Sequence, residues 1–208
     1  MKTNHAKRSL AIFLALACGS AYGQAFDAKV PKGWGFHNPS GEYEVKVDSS
    51  VQREGKPGVS IRPLVPKPFE PNQGRFGILY QTIRADKYKG KRIRYSAYMS
   101  CAKIDVAAYL WLRVDGSIKH RDWYDSSGGN PLSFAIDKGN QCGDGDGDWR
   151  RAEVVVDVPK NSGAITFGMS LYGNGAVWAN GMSFEAVDDE TPLTSDEASL
   201  PEAPVNPL

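Results

Sequence analysis

The sequence predicts an all-β chain folded as a two-sheet antiparallel β-sandwich. Between Trp34 and Val187 no apolar stripe has helical period and length. Apolar and polar residues instead alternate in short runs, and Gly, Pro, Asn and Asp punctuate them. About ten such runs in one domain-sized stretch match a sandwich or jelly roll.

The chain opens on a different pattern. Lys2, Lys7 and Arg8 precede an apolar run from Leu10 to Ala17, and small residues follow. This is the layout of a secretory signal peptide over residues 1–23, with an apolar part too short to span a bilayer. Ala21-Tyr22-Gly23 and Gly23-Gln24-Ala25 both offer cleavage sites. Cys18 sits in a loose likeness of a lipobox, and an ordinary signal cysteine is the preferred reading. A periplasmic or secreted protein without a membrane span is expected.

Residues 24–188 form the expected sandwich domain. Tyr43–Asp48, Val59–Arg62 and Gly77–Arg84 are its first predicted strands. The Pro63–Pro71 stretch between them lacks ladder donors and is expected to be a stiff exposed loop. Ala85–Gly90 is expected to form one helical turn. In Lys91–Met99, Ile93, Tyr95, Ala97 and Met99 share a face opposite Arg92, Arg94, Ser96 and Tyr98. In Val106–Val114, Val106, Ala108, Leu110, Leu112 and Val114 oppose Ala107, Tyr109, Trp111 and Arg113. Arg121–Tyr124, Trp149–Val156, Ala164–Tyr172, Ala176–Ala179 and Met182–Val187 complete the set. Residues 189–208 carry acidic residues and prolines but no cation, and read as a disordered acidic tail.

Signal removal leaves two cysteines, Cys101 and Cys142. In an oxidising compartment an even pair reads as a disulfide. No CxxC occurs, and only His37 and His120 remain, so a zinc site is poorly supported.

At this point the order of motifs resembles a bacterial galactose-binding-like jelly-roll domain, of the carbohydrate-binding-module kind. Tyr88-Lys89-Gly90-Lys91-Arg92-Ile93-Arg94, Leu110-Trp111-Leu112-Arg113-Val114-Asp115-Gly116 and Ala176-Val177-Trp178-Ala179-Asn180 carry the resemblance, which spans about residues 32–188. Such domains occur alone behind signal peptides, or joined to transcriptional regulators and to peptidases. The resemblance implies a β-sandwich and a carbohydrate ligand, although fold does not by itself establish function. Asn180-Gly181 stands where related domains carry an acidic pair that serves a structural calcium ion.

Three carboxylates alternate with glycine in Asp144, Asp146 and Asp148. Calcium takes six to eight oxygens, so this loop is the expected metal site if the domain holds calcium. The loop template asks for Gly and Glu where this chain has Trp149 and Val155. No other cofactor is expected.

The expected ligand site is an aromatic strand face made by Tyr109, Trp111 and Arg113, joined by Arg94, Tyr98 and Gln81. Flat sugar faces pack on aromatic rings, while hydroxyls bond to polar side chains. If the faces are reversed, Trp111 is core. Asp115 and Asp125 are lesser polar partners. Trp34, Trp123, Trp149 and Trp178 are expected to serve packing. No GxSxG, HExxH, Walker loop or dinucleotide fingerprint occurs, so an enzyme is not expected. A near-neutral chain with a net charge of +1 lacks the footprint of a nucleic-acid binder. Residues 24–187 nevertheless carry 22 Lys and Arg against 18 Asp and Glu, which makes an acidic glycan as suitable a ligand as a neutral one. The alternative is an envelope module with a protein partner and no small ligand, and a lesser one is a hydrolase that uses paired carboxylates.

Overall fold

The computed structural model describes residues 30–68, 70, 75–116, 131–137 and 148–194. These residues form ten strands: β1 (Gly35–His37), β2 (Tyr43–Arg53), β3 (Lys56–Pro63), β4 (Phe76–Arg84), β5 (Lys91–Ala102), β6 (Ala107–Asp115), β7 (Ser133–Ile136), β8 (Arg150–Val158), β9 (Ala164–Tyr172) and β10 (Ala176–Val187). They pair antiparallel into two five-stranded sheets. The first runs β1-β4-β9-β6-β7 and the second β2-β3-β10-β5-β8. The expected two-sheet sandwich is therefore what forms.

Alternation decides which side chains meet between the sheets. Leu110, Leu112 and Val114 of β6 join Ile165, Phe167, Met169 and Leu171 of β9 on the inner face of the first sheet. Ile93, Tyr95, Ala97 and Met99 of β5 meet them from the second. Tyr95 and Phe167 touch across the gap, with ring centroids 4.9 Å apart. The inward assignments for β5 and β6 match the alternation in the sequence, except Val106, which precedes β6 and is exposed beyond the end of the strand.

The Ala85–Gly90 segment closes one helical turn, with Tyr88 N–H and Lys89 N–H both donating to the Ala85 carbonyl. Leu64–Pro68 is exposed beyond the end of β3, as the prolines require. β10 corrects the two separate strands read at its place. It is one strand, irregular between Asn180 and Ser183, and Gly181 takes φ 61° there. That left-handed backbone absorbs the extra residues of a bulge. β1 and β7 are short edge strands that periodicity did not single out. Arg121–Tyr124 lies outside the described residues.

The end of the domain also extends past its expected boundary. Thr194 N–H donates to the Val155 carbonyl at 3.0 Å, and Val155 N–H donates to the Thr194 hydroxyl. Residues 189–194, read as tail, are thus laid along the edge of β8. The remainder of that expected tail lies outside the described residues.

Candidate functional site

The site follows from register in the first sheet. Residues directly opposite in paired strands share a face, and the core fixes which face is inward. The outer face therefore carries rows that cross the sheet. One row is Tyr80, Gly168, Trp111 and Ile136. The next is Thr82, Thr166, Arg113 and Phe134. Tyr109 and Tyr172 lie toward the other end, in ring contact at 6.1 Å, and Tyr172 also meets Phe76 at 5.5 Å. Burial raises the Tyr172 phenol above its ordinary value, with the Tyr109 phenol nearby adding to the effect.

Each part of this face has a local reason. Gly168 is obligatory, because a Cβ there would overlap the Leu79 carbonyl of β4. Glycine also leaves a gap in side chains between Tyr80 and Trp111. The Tyr80 ring lies over Gly35 of β1, where an added Cβ would come within 2.6 Å of it. Trp111 is only 2% exposed, so it forms the floor of the face and not an open platform. Phe134, on the edge strand β7, is 44% exposed. Thr82 and Thr166 share a hydrogen bond of 3.0 Å. Arg113 Nε donates to both oxygens of Asp115, at 2.8 and 3.0 Å, and Asp115 is buried. Aromatic surface, hydroxyls and a fixed guanidinium thus stand side by side.

The structure separates the residues grouped from sequence. Tyr109, Trp111 and Arg113 lie at alternate positions on one face of β6. Arg94 and Tyr98 do not join them, because β5 lies in the other sheet and β6 is flanked by β9 and β7. Gln81 shares β4 with Tyr80, but it lies opposite Phe167 on the inward side and donates to the Gly33 carbonyl at 3.2 Å. Of the expected calcium ligands, Asp144 and Asp146 lie outside the described residues, and Asp148 is exposed just before Trp149. Among the described residues no three His, Cys, Asp or Glu side chains cluster to hold a metal. Cys101 is buried near the end of β5, and Cys142 lies outside the described residues.

Sequence reading missed Tyr80, Thr82, Thr166, Tyr172 and Phe134. Ile78, Tyr80 and Thr82 alternate in GILYQTIR, yet so do Leu79, Gln81 and Ile83. With both faces apolar, alternation could not say which one looked outward.

Arg94 and Tyr98 belong to a different surface, the outer face of the second sheet. There Arg94 lies 3.5 Å from Glu185 and 3.6 Å from Glu153, and Arg151 pairs with Glu153 at 2.7 Å. The Arg53 guanidinium sits 3.4 Å above the Tyr98 ring. These groups form a network of ion pairs and a cation–π contact on that face. A separate cleft of about 520 Å³ opens beside β1 and β2, lined by Val30, Phe36, Tyr43, Val45 and Leu64 among others.

No protein-family model matches the chain. In sequence it is 30% identical over 188 residues to the uncharacterized HTH-type transcriptional regulator YbfP of Bacillus subtilis (strain 168). That alignment takes in 88% of this chain and 58% of the relative, so the chain spans less than two thirds of the regulator's length. Among solved structures it is similar to a family 16 carbohydrate binding module, at 15% identity and a TM-score of 0.49 over 74% of this chain and 91% of that one. It is also similar to TmCBM61 in complex with β-1,4-galactotriose, at 13% identity and a TM-score of 0.47 over 76% and 92%. The CBM22-1 xylan-binding domain of Paenibacillus barcinonensis Xyn10C gives 14%, 0.47, and 76% and 88%. Carbohydrate-binding modules recur among these neighbours. Likenesses of this depth concern the layout of strands and say nothing of a ligand.

Proposed function

We propose that this chain is an exported, non-catalytic binding module that holds a glycan on the outer face of its first sheet. The observation that carries the reading is the pair of adjacent rows, Tyr80–Gly168–Trp111 and Thr82–Thr166–Arg113–Phe134. Aromatic rings offer stacking surface, and the hydroxyls and guanidinium beside them offer directional bonds. Tyr109 and Phe134 are the rings for stacking, Arg113 is the donor, and Trp111 supports them from below. The signal-like residues 1–23 support export.

Calorimetric titration against a panel of oligosaccharides tests this. Saturable binding to at least one member is expected, weakened by about tenfold or more in Phe134→Ala or Tyr109→Ala. No saturable binding across the panel, or binding untouched by both substitutions, would overturn the site.

In a second reading the domain contacts a protein partner and holds no small ligand. Co-purification of one defined partner, together with silence in the titration, would favour that reading over the first.

A further inference from the structure

We infer that Asp115 sets the charge selectivity of this face, so that the site takes uncharged, hydroxyl-bearing saccharides and rejects their carboxyl-bearing counterparts. The inference rests on the reading of the face as a saccharide site. Composition alone allows the opposite, since residues 24–187 carry more cations than anions. The distribution of charge on the face reverses that expectation.

Among the described strand residues of this face, the charged ones are Arg84, Arg113 and Asp115. Neither arginine is unspent. Arg84 Nε donates to Asp86 at 2.7 Å, and Arg113 Nε donates to both oxygens of Asp115. Asp115 is 5% exposed, so its charge is held close behind the guanidinium and little screened by water. An arginine with a free fork favours carboxylates, because two parallel N–H groups match two oxygens. Here an arriving carboxylate meets a guanidinium whose charge is already balanced, and the Asp115 charge repels it. It must also shed its hydration to enter a partly buried site.

A hydroxyl carries no charge for Asp115 to repel, and it sheds its hydration at lower cost than a carboxylate. Among the described residues, the Arg113 Nη1 and Nη2 groups have no protein partner, so their N–H groups remain for sugar oxygens. Thr166 lies directly opposite Arg113, and Thr82 is bonded to it, so hydroxyls that both donate and accept stand in the same row. The pair thereby acts as a neutral, directional donor group.

The test titrates the full chain with galacto-, gluco- and manno-trisaccharides and with the corresponding tri-uronates. The expected result is binding of a neutral sugar that exceeds its uronate by about tenfold or more, and that holds between about 0.02 M and about 0.5 M salt. Asp115→Asn removes the balancing charge, and the ratio is expected to shift toward the uronate by about tenfold. A wild-type chain that binds a uronate as well as its neutral counterpart overturns the inference and leaves the saccharide site standing. Silence toward every saccharide overturns both. The wild-type ratio and its salt dependence decide the matter even if Asp115→Asn does not fold. If that variant folds, as checked by its near-ultraviolet circular dichroism, and keeps the wild-type ratio, the role of Asp115 is lost.

Discussion

At the scale of single residues, burial separates support from contact. Trp111 faces outward, yet it is one of the largest fully buried side chains. Trp111→Ala is therefore expected to cost about 3–5 kcal/mol of stability, through lost burial and the cavity left behind. Chemical denaturation measures this, and a loss below about 1 kcal/mol would show that the ring is not a floor. Asp48 gives a second case. Burial alone would raise its carboxyl, but hydrogen bonds from Ser50 and from Trp178 Nε1 outweigh it and hold the value below that of an ordinary aspartate. A carboxyl lowered by folding stabilises the native state above its unfolded value, and that contribution fades as pH falls through the folded one. Melting temperature should thus drop between neutral pH and about pH 3, and drop less in Asp48→Asn. Equal drops in both proteins would contradict this role. Neither feature was legible beforehand, because a tryptophan on a strand reads alike as platform or packing until its burial in the folded chain is known.

At the scale of elements, the edge of β8 shows how backbone groups are satisfied without a neighbouring strand. Glu153 N–H donates to the Asp137 carboxylate, the Asp157 carbonyl accepts from the Ser133 hydroxyl, and Val155 pairs with Thr194. Arg92 holds this arrangement, with Nε and Nη2 on the Asp157 carboxylate and Nη1 on the Thr191 carbonyl at 2.7 Å. Capped edges resist pairing with other chains. Arg92→Ala is expected to speed hydrogen exchange at the Val155 amide while the core of β9 keeps its protection; an unchanged Val155 rate would remove Arg92 from this role. The sequence showed acidic residues and prolines after Asp188 and so suggested a tail. A few specific bonds to β8 suffice to place its first residues, and such bonds leave no periodic trace. β5 teaches the same lesson. Its alternation told inward from outward correctly, but period two cannot say that β5 and β6 belong to different sheets. That connection separated Arg94 and Tyr98 from Trp111.

At the scale of the whole molecule, the sandwich was legible because its core faces follow strict alternation, while the site depends on register across four strands. Tyr80, Trp111 and Phe134 lie far apart in sequence and meet only after β4, β9, β6 and β7 pair. The expected Cys101–Cys142 disulfide rests on the cysteine count of the sequence, and Cys142 lies outside the described residues. The mature chain is expected to show no free thiol when unfolded without reductant, and two reactive thiols would refute the bridge. Saccharide binding on the outer face of the first sheet is read by nuclear magnetic resonance of the full chain titrated with the neutral trisaccharides. Saturable shifts are expected at Tyr80, Thr82, Tyr109, Arg113, Phe134 and Thr166, with Arg94 and Tyr98 unmoved. Shifts centred on Arg94 and Tyr98, or none at all, would contradict it.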